Sequence, residues 1–377
     1  MGRGPHRWAT AVLPGMLVVL AIVGCGGGGT SSTVARRHAR PPRPGPEEEF
    51  APRPSPRKPV RLARPCGPEQ LVVTHAGGAG GFTSSYYARF TVFNLSERAC
   101  STSGFPKLFA LRTGGRPVEG PAAHGTAAPE ASDGPMNIAG RGVAAFLVSW
   151  SADVYPRGGC GPRIVTAYRV VLPGSNLSQT IPYPNFDHCT GAAARGSLAV
   201  GRIEPSPEPA RPVPAPPRLE EAKPSERLPR CDPADLVVWQ GMNYPGGAAA
   251  GTSYGHLAVT NLSERPCKLS GVPRAVAVDL RGRAVGPPVG RSASMPTIDG
   301  EPPIRVARLE AHGSALFTFS VAEVLDYGTH GCDYEYAAGF DVTLPGSSRS
   351  QYVPAPVRRC LRSVAPNGPQ VSVGPIE

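Results

Sequence analysis

No two cysteines of this chain stand in a C-x-x-C pair, the spacing on which thiolate zinc sites are commonly built. They are therefore not read as metal ligands. The glycine run Gly77-Gly78-Ala79-Gly80-Gly81 has no Lys-Ser/Thr behind it and no helix signal, so it lacks the parts of a phosphate cradle and reads as a strand-to-strand loop. Aromatic residues are missing where positive charge is densest. Between residues 26 and 65, nine Lys or Arg face three Glu, and Phe50 is the sole aromatic. That stretch carries over half of the formal charge of +11, yet nucleic-acid binding wants such charges interleaved with stacking rings on a folded platform. Nucleic acid is not expected as a partner. Ser55-Pro56-Arg57-Lys58 has the S-x-x-K spacing, but it lies in this same stretch, where no oxyanion hole can be preorganised. Covalent catalysis has no evident nucleophile. Neither an enzyme nor a cofactor is expected.

What the chain has in abundance is proline and glycine, 46 of each in 377 residues, which keeps much of it out of helix and packed core. Folded blocks joined by solvated tethers follow. Residues 30–65 are Arg, Pro, Ala and Glu with few aliphatic side chains, too little to offset the entropy of ordering. Residues 26–65 are therefore a disordered stalk. Its roughly 40 residues span about 35 Å if flexible and up to about 120 Å as polyproline II. Residues 204–230 form a second Pro-rich tether, and 365–377 read as a disordered tail.

The N-terminus has a charged start at Arg3, His6 and Arg7, then an apolar run from Ala9 to Gly24. This has signal-peptide length and is short for a membrane-spanning helix. It closes on Ile22-Val23-Gly24-Cys25, which resembles the lipobox of bacterial lipoproteins. The resemblance implies that residues 1–25 are a lipoprotein signal peptide with its lipobox, that cleavage leaves Cys25 as the first mature residue, and that diacylglycerol is attached to that cysteine, palmitate-type chains included. Two or more acyl chains hold a protein at a bilayer, at about 0.8 kcal/mol per buried methylene. The membrane is thus an expected partner through lipid at Cys25, and the location extracytoplasmic.

The remaining eight cysteines form two sets, Cys66, Cys100, Cys160, Cys189 and Cys231, Cys267, Cys332, Cys360, with steps of 34, 60 and 29 residues against 36, 65 and 28. Sequence repeats with them. Asn94-Leu95-Ser96-Glu97-Arg98-Ala99-Cys100 returns as Asn261-Leu262-Ser263-Glu264-Arg265-Pro266-Cys267, Ser103-Gly104-Phe105-Pro106 as Ser270-Gly271-Val272-Pro273, and Val171-Leu172-Pro173-Gly174-Ser175 as Thr343-Leu344-Pro345-Gly346-Ser347. This is one domain duplicated.

Period-two alternation runs between these landmarks. Phe90 and Val92 match Leu257 and Val259 on one face, while Arg89 and Thr91 match His256 and Ala258 on the other, which is expected to be solvated. Phe146, Val148 and Trp150 match Ala315, Phe317 and Phe319, and Tyr168, Val170 and Leu172 match Phe340, Val342 and Leu344. Such alternation marks half-buried antiparallel strands. About seven per copy are expected, around Leu71, Phe90, Phe109, Phe146, Tyr168, Ile181 and Leu198 in the first. The fold class is all-β: two tandem immunoglobulin-like sandwiches, 66–203 and 231–364. Strand order brings Cys66 to Cys100 and Cys160 to Cys189, and likewise Cys231 to Cys267 and Cys332 to Cys360. Each closes a loop of roughly 30 residues and stabilises by ~3–4 kcal/mol.

The arrangement resembles two copies of the bacterial secreted domain of unknown function 4232, with Cys before an apolar strand, Asn-x-Ser before Cys, a Ser-Gly-x-Pro turn and a Pro-Gly step before the last Cys. The resemblance implies fold and an envelope location, and it carries no activity. Asn94, Asn176 and Asn261 sit in Asn-x-Ser triplets; Asn94 and Asn261 are expected to end strands by bonding their own turns. The expected function is a noncatalytic envelope lipoprotein that binds or spaces, with an envelope protein or a cell-wall glycan as partner. Tyr334 and Tyr336 offer a surface for sugar. The rival role is metal handling or hydrolysis around Asp326 and His330, with Cys332, Asp333 and Glu335 beside them.

Overall fold

The computed structural model describes residues 61–75, 80–82, 85–125, 134–151, 161–162, 164–186, 188–190, 198–206, 226–240, 248–249, 251–292, 306–322, 332–362 and 370–376. Cys25 with its leader, most of the stalk, Cys160, Asp326 and His330 lie outside these residues. Val60–Glu377 form one compact unit.

Both copies fold as two facing sheets, antiparallel except at one edge of the larger. In the first, the larger sheet runs Leu71–His75, Ser85–Asn94, Val143–Ser151, Ala199–Val200, Ala123–His124. Its partner sheet runs Ser178–Asn185, Val165–Val171, Lys107–Leu111. The second copy repeats this order with Leu236–Gln240, Thr252–Asn261, Ser314–Ala322, Val371–Ile376, Gly290–Arg291 against Arg274–Val278, Tyr334–Thr343, Ser350–Cys360. These are the immunoglobulin-like sandwiches that the alternation predicts. The inward rows are buried throughout: Phe90, Val92, Phe146, Val148, Tyr168 and Val170 close the first core, and Leu257, Val259, Phe317, Phe340 and Val342 the second. Phe90 stacks on Phe146 with ring centroids 5.5 Å apart, and Tyr168 meets Phe90 edge-on at 5.7 Å, the offset and T-shaped contacts that ring quadrupoles favour.

The sequence landmarks are the corners of this fold. Asn94 and Asn261 are fully buried. Their side-chain oxygens accept from the N–H of Ser96 and Ser263, both at 3.0 Å, while their amides donate to the carbonyls of Arg98 and Ala139 and of Arg265 and Glu310. Each asparagine thus ends its strand and pins the neighbouring hairpin, which is why the triplet recurs. Gly104 and Gly271 hold φ of +93° and +99°, a left-handed turn that explains the glycine of Ser-Gly-x-Pro. Disulfides join Cys66 to Cys100, Cys231 to Cys267 and Cys332 to Cys360, with Cα separations of 4.8, 4.9 and 5.1 Å. The expected Cys160–Cys189 bond falls outside the described residues, although the backbone pairs Cys189 with Pro162.

Two expectations are corrected. The segment 365–377 is not wholly a tail, because Val371–Ile376 is a strand of the larger sheet, antiparallel to Ser314–Ala322, with Val371, Val373 and Ile376 buried. It does what Ala199–Val200 does in the first copy, down to a parallel pairing on the far side. The tether 204–230 likewise gives up its start, since Glu204–Pro205 pairs with Ala144 and Ala145. In both places a strand already in the sheet offers free backbone groups, and pairing satisfies them.

Candidate functional site

The two sandwiches meet along the edges where their facing sheets come closest. Strand Ser178–Asn185 of the first copy lies against Leu236–Gln240 of the second, and Leu71–His75 of the first against Ser350–Cys360 of the second, a reciprocal arrangement of equivalent strands. Leu71–His75 and Leu236–Gln240 are edge strands and need partners for their outer backbone groups. In each copy one glutamine supplies both. Gln179 accepts from the Val73 N–H at 2.9 Å and donates to the Leu71 carbonyl at 2.8 Å. Gln351 does the same for Val238 and Leu236, each at 2.9 Å. Sequence reasoning passes over this pair, yet both lie four residues after the serine of the Leu-Pro-Gly-Ser block.

At the centre of the junction, Tyr183 of the first copy stands edge-on to Trp239 of the second at 5.8 Å, with His75 4.3 Å from Tyr183 and 6.1 Å from Trp239. The Trp239 indole N–H is satisfied by the Thr260 hydroxyl at 2.9 Å. Both ring nitrogens of His75 are buried without a hydrogen-bond partner among the described residues, and burial pushes its pKa down to about 3. At each end of the junction a basic residue with φ of +60° reaches across. Arg141, ion-paired to Glu97, lies 3.9 Å over the ring of Tyr336. His312, paired to Glu264, stacks on Phe186 at 4.3 Å.

Among the described residues three clefts span this seam, the smallest of about 250 Å³; the two larger differ in character. One, of about 600 Å³, is lined by hydroxyl-bearing and backbone groups of Thr113, Thr166, Ser347, Ser348 and Ser350 with Asp232 at its rim. The other, of about 550 Å³, draws Glu69, Gln70, Ser96 and Arg141 from the first copy and Asp279, Arg283, Tyr334, Glu335 and Tyr336 from the second. Its polar groups are held in place. The Arg281 guanidinium donates to Glu69 across the junction at 2.7 and 2.5 Å, Arg283 Nε donates to Asp279 at 2.6 Å, and Gln70 donates to Ser96 at 2.6 Å. Partial burial raises the Asp279 pKa, but hydrogen bonds from Arg283 and Arg281 outweigh it and hold the carboxyl below its usual range. Tyr334 and Tyr336 lie on the same side of their strand. The Tyr336 hydroxyl accepts from Arg358 at 2.7 Å, and that guanidinium lies 5.3 Å from the Tyr334 ring.

The sequence-predicted residues divide among these places. Tyr334, Tyr336 and Glu335 come together in the second cleft. Asp326 and His330, the centre of the rival reading, lie outside the described residues; their neighbour Cys332 is in a disulfide. Among the described residues, no three His, Cys, Asp or Glu gather as metal ligands. His256, expected on a solvated face, is 7 % exposed, and burial lowers its pKa to about 4. Its row neighbours Ala258, Leu316 and Thr318 are buried as well, so that face of the second copy is covered where Arg89 of the first is half-exposed.

Gly251-Thr252-Ser253-Tyr254-Gly255 spells G-x-S-x-G. A nucleophile elbow places this serine on a sharp strand-to-helix turn. Here it lies within the strand Thr252–Asn261, with Ser253 paired to Ala248 and Val321. Gly255 has a packing reason instead: a Cβ there would sit 2.4 Å from the Phe319 ring.

The residue before the last cysteine is a buried nitrogen-bearing side chain in both copies. His188 pairs with Glu119 at 2.7 Å, and Arg359 donates to the Pro287 carbonyl. Where the first copy has Glu119 the second has Gly286, whose missing side chain leaves room for the Cys360 carbonyl and Arg359. His188 is fully sealed, so this pair braces the sandwich.

Two disulfide-braced β-sandwiches, duplicated and joined edge to edge, define the class. The chain belongs to the family described as Domain of unknown function (DUF4232), whose model matches residues 66–204 and again 231–377. The second match runs through the strand that replaces the expected tail. No curated protein and no solved structure matches the chain. No helix among the described residues is long and apolar enough to cross a membrane.

Proposed function

We propose that this protein is a noncatalytic lipoprotein of the cell envelope, anchored through Cys25, whose two sandwiches act together as one binding or spacing body. Its partner is an envelope protein or a wall glycan. The observation that carries the reading is the cleft of about 550 Å³ between the copies, with Tyr334 and Tyr336 among arginines and carboxylates already tied into fixed pairs. Clefts of this volume at domain junctions are the usual sites of ligands. Fixed polar groups around rigid rings suit recognition, because little ordering remains to be done on binding.

The lipid anchor supports an envelope location, and the Pro-rich stalk supplies the distance from the membrane. The test is a pull-down with the full chain against wall polysaccharide and, separately, against detergent-solubilised envelope proteins, together with mass spectrometry of Cys25. Specific retention in either arm and an acylated Cys25 are the expected results. An unacylated Cys25, or stoichiometric metal that is lost in His330→Ala, overturns the reading.

A further inference from the structure

Resting on the reading of a binding protein, we propose that the cleft between Glu69, Arg141, Asp279, Arg283, Tyr334 and Glu335 binds a neutral oligosaccharide. Sugars combine apolar C–H faces with rings of hydroxyls. They are recognised by aromatic faces beside planar groups that donate or accept two hydrogen bonds at once, and this cleft holds both. Tyr334 keeps 41 % of its surface exposed at the cleft, unusual for a large ring in a sandwich whose other aromatics are packed. The Arg358 guanidinium near the Tyr334 ring also donates to the Tyr336 hydroxyl, so the two rings and the cation form one unit. Around them Arg283 is oriented by Asp279 and Arg281 by Glu69, with the second pair bridging the copies.

Charge decides between classes of glycan. The guanidiniums at the cleft and its rim are Arg141, Arg281, Arg283 and Arg358; the carboxylates are Glu69, Glu97, Asp279 and Glu335. Four cations meet four anions. A chain of formal charge +11 therefore presents, at this place, no excess field to gather a polyanion, and a phosphate- or uronate-bearing polymer would meet the carboxylates. A neutral ligand meets donors and acceptors alike. The opposite cleft of about 600 Å³ has Thr, Ser and Gly in its lining and no aromatic ring among its described residues. The assignment is to the cleft of about 550 Å³ alone.

The test begins with the full chain on an array of neutral hexose, N-acetylhexosamine and pentofuranose oligosaccharides together with uronate and phosphate-linked ones. The tightest neutral oligosaccharide is then titrated calorimetrically against the wild type, Tyr334→Ala, Tyr334→Phe, Arg283→Ala and, as a control in the other cleft, Ser348→Ala. Affinity is expected to fall about tenfold or more in Tyr334→Ala and Arg283→Ala, to stay within about threefold in Tyr334→Phe, and to hold in Ser348→Ala. Salt should change it little. Circular dichroism and melting of each variant separate lost binding from lost folding, and Arg283, at the surface, gives an answer if Tyr334→Ala does not fold. Absence of any neutral ligand on the array, binding of anionic glycans only with steep salt dependence, or full affinity in both cleft variants overturns the proposal. Where that happens and the pull-down still retains an envelope protein, the binding-protein reading stands and only the glycan site falls; where neither assay retains anything, both fall.

Discussion

Acidification should loosen this protein through His75, by an amount the structure sets. The imidazole is 2 % exposed, both nitrogens lack hydrogen-bond partners among the described residues, and its neighbours are the rings of Phe90, Tyr183 and Trp239. Burial alone lowers its pKa to about 3, against about 6.5 in the unfolded chain. A depressed histidine is neutral in the fold, so it adds no pH-dependent cost above pH 6.5, and the unfolded state gains protons first as pH falls. Stability is lost from pH 6.5 down to about 3. The loss attributable to this residue is about 2 kcal/mol at pH 5 and about 3 kcal/mol at pH 4. His256, at about 4, pushes the same way, so the quantity to measure is the difference between wild type and His75→Phe. Guanidinium denaturation followed by tryptophan fluorescence at pH 7.5, 6 and 5 gives it. The wild type should lose about 2 kcal/mol more than the variant between pH 7.5 and 5. Parallel curves for the two proteins would refute a neutral, sealed imidazole at the junction.

Gln179→Ala strands the Val73 N–H and the Leu71 carbonyl, and Gln351→Ala their counterparts at Val238 and Leu236; each should cost about 2–6 kcal/mol by denaturant titration, at about 1–3 per buried group left unpaired. Gly255→Ala puts a Cβ against the Phe319 ring and should destabilise by about 1–3 kcal/mol, with recovery in Gly255→Ala/Phe319→Leu read by thermal melting. Replacing Cys231 and Cys267 together by serine should cost about 3–4 kcal/mol, and a shift below 1 kcal/mol would show that the bond does not restrain the unfolded chain.

Much of the sandwich is legible in the sequence because period two is strict where one sheet face is buried. Phe90 and Val92, Phe146 and Val148, Tyr168 and Val170 all point inward as their alternation requires, and cysteines that bracket an antiparallel pair can meet only at its open ends. The last strand escapes notice for a compositional reason. Pro369, Gly374 and Pro375 look like tail, although Val373-Gly374-Pro375-Ile376 repeats Val200-Gly201-Arg202-Ile203 and the repeat is the usable signal. His256 misleads because Arg89, its counterpart, is long enough to reach out to Ser206, whereas the second copy has buried the same face. The junction is not legible at all. Trp239, Tyr183, Arg141 and Phe186 look like ordinary strand and turn residues, since contact between separate folded blocks leaves no period in either one. Of the cleft, Tyr334, Glu335 and Tyr336 stand out by composition, while Asp279 and Arg283 join them through the folding of the second copy, and Glu69 and Arg141 only through docking.

On the proposal that this cleft binds a ligand, docking and ligand capture are one equilibrium. The ion pairs across the seam are exposed and contribute little each, at about 0–1 kcal/mol; Arg281 and Glu69 orient more than they stabilise. The aromatic contacts at Tyr183, Trp239 and His75, with Arg141 on Tyr336 and His312 on Phe186 at the two ends, supply the association and fix its angle. Because the cleft takes walls from both copies, anything that fills it must favour the docked arrangement by the free energy of its own binding, RT ln(1 + [L]/Kd), or about 2.7 kcal/mol at a hundredfold excess over Kd. The converse holds by linkage: Trp239→Ala, at a ring that meets His75 and Tyr183 and is not among the residues lining the cleft, should weaken ligand affinity by the fraction of molecules it leaves undocked. A Trp239→Ala protein that melts earlier yet binds with full affinity would place the site on the second copy alone and remove the reason for keeping the two together.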